Sequence, residues 1–150
     1  MHFTLKEFSA LSTTELFEIY KLRSEVFVVE QNCAYQDVDD KDLSAFHLML
    51  FEDDQLAGYT RILPPTVSYT EPSIGRVAVK KEFRTQGTGK ILMKQSIKQS
   101  LELFNNQNIV ISAQSYLLKF YTELGFTREG EEYLEDDIPH VKMKYKNALK

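Results

Sequence analysis

Arg84-Thr85-Gln86-Gly87-Thr88-Gly89-Lys90 is the stretch on which the reading of the chain turns. It follows an apolar run, residues 73–79 (Ser-Ile-Gly-Arg-Val-Ala-Val), and a charged turn at 80–86. It precedes a segment in which Met93, Ile97, Leu101 and Phe104 recur at spacings of 4, 4 and 3. The run reads as a strand and the periodic segment as an amphipathic helix opening at Gly87. Glycines in such a turn let the backbone approach a ligand, and the first amides of the helix have no partner of their own. Unpaired amides and the helix macrodipole together make a site for a phosphate or pyrophosphate, with positive charge at the rim from Arg84 and Lys90.

Three ligand readings of this turn compete with a plain one. A dinucleotide fingerprint needs Gly-x-Gly-x-x-Gly, and Leu92 stands in its third place. A P-loop needs Gly five residues before the Gly-Lys pair and Ser or Thr after it, where this chain has Arg84 and Ile91. Arg-x-x-Gly-x-Gly, the pyrophosphate loop of acyl-CoA-dependent N-acetyltransferases, does fit. The plain reading is a strand-to-helix turn with a glycine-rich cap.

Outward from the turn, the elements fall in a simple order. Residues 2–8 alternate as a first strand. Ser12-Thr13-Thr14-Glu15 has the capping-box pattern, and Leu16, Ile19, Leu22 and Val26 continue it as a helix over 13–28. The polar, acidic segment 31–44 reads as a loop or short irregular helix. Residues 46–51 and 56–63 form a hairpin with a short acidic connection at 52–55; Pro64-Pro65 ends it, and a surface loop runs to Pro72. After the 87–104 helix, 109–113 is a continuous apolar run of the kind buried on both faces. Residues 116–124 form a short helix ended by Gly125. Residues 126–128 and 141–145 are strands joined by an acidic loop, 129–137. The order β-α-β-β-β-α-β-α-β-β predicts one α/β (α+β) domain over 1–150 with a mixed sheet.

Composition narrows the function. The 150 residues are one domain's worth. With 22 acidic and 18 basic residues the formal charge is −4, which argues against nucleic acid as a partner. A lone cysteine, Cys33, forms no internal disulfide and fits a reducing compartment. No signal peptide and no apolar stretch near 18 residues is visible, so the expectation is a cytoplasmic protein with no membrane partner. His2, His47, His140 and Cys33 lack ligand spacing, and Asp37-x-Asp39 continues to Lys41 and Asp42 where a calcium loop needs another oxygen donor and Gly; no metal is expected.

The chain resembles the general-control-type N-acetyltransferase (GNAT) superfamily over about residues 46–145, and its ElaA-like family over nearly the whole length. Ile74-Gly75-Arg76-Val77-Ala78-Val79 is similar to the strand before the pyrophosphate loop, and Ser112-Ala113-Gln114 to the end of the next strand. Phe120-Tyr121-Thr122-Glu123-Leu124-Gly125-Phe126 is similar to the Tyr-x-x-x-Gly-Phe signature. The ElaA-like resemblance rests on Val26-Phe27-Val28-Val29-Glu30-Gln31, Tyr35-Gln36-Asp37 and Asp137-Ile138-Pro139-His140. Many members carry Asn seven residues before the signature tyrosine; here that place holds Gln114, a longer amide able to make the same bonds.

The resemblance implies a sheet splayed between the parallel strands 73–79 and 109–113. It implies that acetyl-CoA is the co-substrate, with its pantetheine arm along Val77, Ala78 and Val79 and beside Gln114, and its pyrophosphate on Arg84, Thr85, Gln86, Gly87, Thr88, Gly89 and Lys90. An amine attacks the thioester directly in a ternary complex, a backbone amide of 77–79 meets the oxyanion, and Tyr121 is the acid for the leaving thiolate. The proton acceptor is left to Glu30, which ends the first helix amid apolar residues, or to His140, which follows Pro139 at the start of a strand and carries an imidazole, the side chain suited to proton transfer near neutral pH. For both, a structural or surface role is the plain reading, as a satisfied strand residue is for His47. Cys33 is not needed as a nucleophile. The acidic stretches 37–42 and 129–137 read as solvated loops that favour a cationic amine if they border the cleft. The expected enzyme is an N-acetyltransferase acting on a small-molecule or peptide amine; the alternative is a non-catalytic acyl-CoA-binding regulatory or interaction module. A homodimer is left open.

Overall fold

The computed structural model describes residues 1–147. Its eight strands form one mixed sheet in the order β1-β2-β3-β4-β5-β8-β6, with β7 also paired to β8. The strands are β1 (His2–Glu7), β2 (Phe46–Glu52), β3 (Gln55–Leu63), β4 (Ser73–Val79), β5 (Ile109–Gln114), β6 (Phe126–Arg128), β7 (Tyr133–Glu135) and β8 (Ile138–Tyr145). The helices are α1 (Thr13–Arg23), α2 (Lys41–Ser44), α3 (Thr88–Leu103) and α4 (Leu118–Glu123). The mixed α/β class expected from the sequence is the one observed, and β4 and β5 are the parallel pair.

Local chemistry sets most boundaries. Ser12 accepts from the Glu15 amide at 3.0 Å while Glu15 accepts from the Ser12 amide at 2.8 Å, which completes the capping box at the start of α1. The β2–β3 hairpin turns on Asp53 and Asp54, both at positive φ (50° and 62°), the conformation of a two-residue turn that matches strand twist.

Each face of the sheet has its own core. Leu48, Leu50, Ile62, Ile74, Ile111, Val141 and Met143 pack against Leu92, Met93 and Ile97 of α3 and Tyr121 of α4. Met49, Tyr59 and Ala78 pack on the other face against Ile19 and Leu22 of α1. Strand alternation makes this division possible, since successive side chains point to opposite faces.

Three expectations need correction. The helix predicted over 13–28 is α-helical only to Arg23 and continues as a π-helix, Ser24–Glu30. The loop predicted over 129–137 contains β7: Asp136 and Asp137, at φ of 50° and 63°, make a tight hairpin, and β8 starts at Ile138 rather than Val141. The acidic stretch 37–42 is not a solvated loop. Asp37, Asp39 and Asp42 meet three guanidinium groups: Arg23 at 2.8 Å from Asp37 and from Asp42, Arg61 at 2.6 Å from Asp39 and 3.1 Å from Asp42, and Arg76 at 2.8 Å from Asp37. Three positive and three negative groups cancel. That cancellation lets Arg23 be wholly buried, where an unpaired charge costs several kcal/mol, about 3–5.

Candidate active site

The site begins with one extra residue in β4. Tyr59 registers with Ala78 and Arg61 with Gly75, so Arg76 and Val77 both stand opposite Thr60. Arg76 takes up this bulge at a φ of 49°, which costs an L-residue about 1–2 kcal/mol. The ion pairs of Arg76 to Asp37 and Asp39 hold it there. A bulge bends its strand, and β4 pairs with β5 at a single position, Ser73 with Val110. Beyond that point the strands part, as the splay expected from the resemblance requires.

A cleft of about 640 Å³ fills the gap and passes through the sheet. Gly89, Phe120 and Tyr121 line it on the α3–α4 face, and Gln31, Ser112 and His140 on the other. The alternation of β5 and β8 explains the two sides. Ile111, Ala113, Val141 and Met143 point into the core, whereas Ser112, Gln114 and His140 point the opposite way. Gly75 also lines the cleft, and a Cβ there meets no atom within 4 Å, so the missing side chain leaves open space.

At the α3 mouth the turn has the geometry its glycines predict. Residues Lys81–Gln86 form a 3-10 turn, and Gly87 caps α3 at a φ of 69°, a left-handed conformation natural to glycine. No side chain caps this end. The first intrahelical bond runs from the Ile91 amide to the Gly87 carbonyl at 3.2 Å, so the amides of Thr88, Gly89 and Lys90 have no helical partner. A pyrophosphate fits that set of donors. Lys90, in the first turn of α3, is exposed. Arg84 is not a free rim charge: its guanidinium donates to the Val79 carbonyl at 2.9 Å and to both Glu30 oxygens at 2.7 and 3.0 Å.

That pair also changes the reading of Glu30. Instead of standing amid apolar residues, its carboxylate is held by Arg84, so the end of the π-helix is tied to the phosphate turn. Gln114 sits at the end of β5, 3.4 Å from the Gln31 side chain to which it donates. Val77 and Val79 pack toward the α3–α4 core and Ala78 toward the α1 core. Cys33 lines the cleft and its thiol lies 3.5 Å from the Asp136 carbonyl.

Tyr121 stands edge-on to Phe120 and Phe126, with ring centres 5.1 and 5.8 Å away. Its hydroxyl has no hydrogen-bond partner among the described residues. Burial pushes the phenol well above its usual range, and Tyr116 adds to the shift, so the group holds its proton at neutral pH. On the opposite side of the cleft, His140 is buried with Nδ1 2.7 Å from the Ile138 carbonyl and Nε2 3.5 Å from the Glu135 carboxylate. Tyr133 stacks on the ring, and its hydroxyl is hydrogen-bonded to Ser112, which donates to Glu135 at 3.1 Å. His47, by contrast, lies outside the cleft with both ring nitrogens engaged, by the Tyr59 hydroxyl at 2.7 Å and the Asp42 carbonyl at 2.9 Å.

Sequence reasoning missed Ser112, Tyr133 and Glu135. The signal was present: Tyr133-Leu134-Glu135 alternates beside an Asp-Asp pair of the same kind that closes the β2–β3 hairpin. Among the described residues there is no cluster of metal-ligating groups, and no helix is long and apolar enough to cross a membrane.

Residues 10–147 match the model of the acetyltransferase (GNAT) domain. The UPF0039 protein C11D3.02c of Schizosaccharomyces pombe is 41% identical over 146 residues, covering 96% of this chain and 96% of that protein. The crystal structure of an acyl-CoA N-acyltransferase from Pseudomonas aeruginosa superposes with a TM-score of 0.91 at 40% identity, over 96% of this chain and 98% of the other. That of Escherichia coli ElaA does so at 0.89 and 34% identity, over 97% and 99%.

Proposed function

The chain belongs to the GNAT acetyltransferase family, in its ElaA-like branch, and from that premise we propose that it is an N-acetyltransferase that moves an acetyl group from acetyl-CoA to a primary amine. The observation that carries this reading is the cleft through the sheet. It has a row of unpartnered helix amides at one mouth and polar side chains at the other, so a thioester and an amine can enter from opposite faces and meet at β4.

In this reading the amides at the start of α3 bind the pyrophosphate, and the β4 edge from Val77 to Val79, left without a strand partner where β5 diverges, pairs with the pantetheine arm. The Val79 carbonyl already accepts from Arg84, so the pairing rests on the remaining groups of the edge. Gln114 supplies a side-chain amide beside it. The amine attacks the thioester carbon directly, and an amide of the 77–79 edge meets the oxyanion. A free thiol has a pKa near ~8.5, below that of the buried Tyr121 phenol. Tyr121 therefore stabilises the departing thiolate as a hydrogen-bond donor, and the proton that ends on sulfur comes from the attacking nitrogen. Cys33 takes no part; its unpaired thiol supports a reducing, cytoplasmic setting.

Thiol release from acetyl-CoA, measured against small-molecule and peptide amines, tests the proposal. Amine-dependent release with formation of the acetylated amine is expected. Tight CoA binding with no turnover on any amine overturns it in favour of a binding module.

A further inference from the structure

We propose that the Glu135–His140 pair, on β7 and β8, receives the acceptor: an alkylammonium group donates to Glu135 and His140, and His140 Nε2 takes the proton that makes the amine a nucleophile. This inference rests on the N-acyltransferase reading of the same cleft and adds the proton acceptor and the class of amine.

The tautomer is settled by the backbone. A carbonyl oxygen only accepts, so the Ile138 carbonyl 2.7 Å from Nδ1 requires the proton on Nδ1. Neutral His140 then carries its lone pair on Nε2, which faces the Glu135 carboxylate at 3.5 Å. Two acceptors 3.5 Å apart can share one donor that sits beside the line joining them, at hydrogen-bond distance from each. An ammonium has three N–H donors and suits that place. Ser112 and the Tyr133 ring fix the two acceptors from either side. Glu30, another carboxylate lining the cleft, is already bonded through both oxygens to Arg84.

The proton inventory closes. One N–H bond of the ammonium breaks, its electron pair stays on nitrogen, and the proton passes to Nε2. The resulting imidazolium donates from Nδ1 to Ile138 and from Nε2 to Glu135, then releases its proton to solvent. Nitrogen bonds to the acetyl carbon, the carbon–sulfur bond breaks with its pair on sulfur, and the second proton from nitrogen ends on sulfur.

Charge selects the amine. Glu135 and Asp136 both line this mouth. Of the cations lining the same cleft, Arg61, Arg76 and Arg84 are engaged by Asp37, Asp39, Asp42 and Glu30, and Lys41 stands on α2 rather than beside β7 and β8. An acceptor bearing a carboxylate next to its nitrogen therefore meets like charge at His140. An arylamine, neutral at pH 7, offers no ammonium. The acceptor is therefore a primary alkylamine without an adjacent carboxylate. The titratable groups around His140 are Glu135 and Tyr133 of β7, Asp136 in the following turn, Tyr69 and Cys33 from loops lining the cleft, and Lys142 on β8 itself.

The experiment compares butylamine, glycine and aniline as acceptors for wild type, His140→Gln and Glu135→Gln, with thiol release followed from pH 5.5 to 9 and CoA affinity measured by calorimetry. Butylamine is expected to be the best acceptor. His140→Gln is expected to lower kcat/KM for butylamine about 10²-fold at pH 7, to recover rate as pH rises, and to leave CoA affinity unchanged. Glu135→Gln is expected to raise KM for butylamine more than it lowers kcat and to narrow the preference over glycine. Glu135 is about half exposed (49%), so this variant keeps the test open if His140→Gln does not fold. Wild-type turnover with unaltered kinetics in both variants overturns this proposal alone, as does a fall in rate matched by an equal fall in CoA affinity. Silence of the wild type on all amines overturns the N-acyltransferase reading and this proposal with it.

Discussion

His47 and His140 lie buried on the same face of one sheet, yet only one of them is finished. His47 sits over the arginine–aspartate cluster with a donor and an acceptor supplied to its two nitrogens. His140 has a carbonyl for one nitrogen and, for the other, a second acceptor on the neighbouring strand β7. Residue type and burial are therefore poor guides to role. A closed hydrogen-bond account marks structure, and an open one beside a cavity marks chemistry.

The same contrast holds for the two regions at large. The arginine–aspartate cluster spends six charges on holding loop 37–42 and the β4 bulge, while the cleft keeps its polar groups available. Arg23→Leu takes one of two guanidinium partners from each of Asp37 and Asp42, which keep only Arg76 and Arg61, and leaves the buried cluster one positive charge short; it is expected to cost about 3–5 kcal/mol in urea unfolding. An equal loss for His140→Gln breaks the comparison. On the cleft side, Gly89→Glu is expected to weaken CoA binding on the order of 100-fold by calorimetry, because it sets a carboxylate against the pyrophosphate at the helix end. A Cβ at Gly89 meets the Phe120 ring at an ordinary 3.8 Å, so the substitution acts through charge rather than crowding; unchanged affinity removes the pyrophosphate from this turn. Tyr121→Phe is expected to lower turnover about 10- to 100-fold with CoA affinity intact, and loss of both together assigns Tyr121 to packing.

The smallest effect is on pH. Burial holds the pKa of His47 below its ordinary 6.5, so the unfolded chain protonates first on acidification. The stability this group contributes is present above pH 6.5 and is lost as the pH falls through and below that value, by at most about 1.4 kcal/mol per pH unit. Melting temperatures from pH 7.5 to 5 are expected to fall more steeply for wild type than for His47→Gln. Burial also disfavours the charged form of Asp42, but the hydrogen bond from Arg23 and the charges of Arg23 and Arg61 outweigh it and hold its pKa below 3.8; the corresponding loss belongs to more acidic conditions.

Much of this organisation is legible in the chain. The capping box, the Asp53-Asp54 hairpin, the 73–79 strand and the glycine turn are local devices, written in adjacent residues, and the structure contains each of them. What escaped reading depends on distant partners. Nothing near Asp37, Asp39 and Asp42 announces that Arg23, Arg61 and Arg76 will neutralise them, so the stretch looks solvated. Glu30 looks apolar in its setting until the fold brings Arg84 to it from 54 positions away. The acceptor-side groups were hidden for a different reason: β7 is three residues long, too short for its alternation to stand out against the acidic loop around it.

Direct transfer across the cleft is the central claim, and it is tested most directly by mass spectrometry of the intact chain after incubation with acetyl-CoA and no amine. An unmodified chain and no released thiol are expected, with release beginning only when an alkylamine is added. An acetyl group found on the protein before the amine arrives, on Cys33 above all, contradicts it.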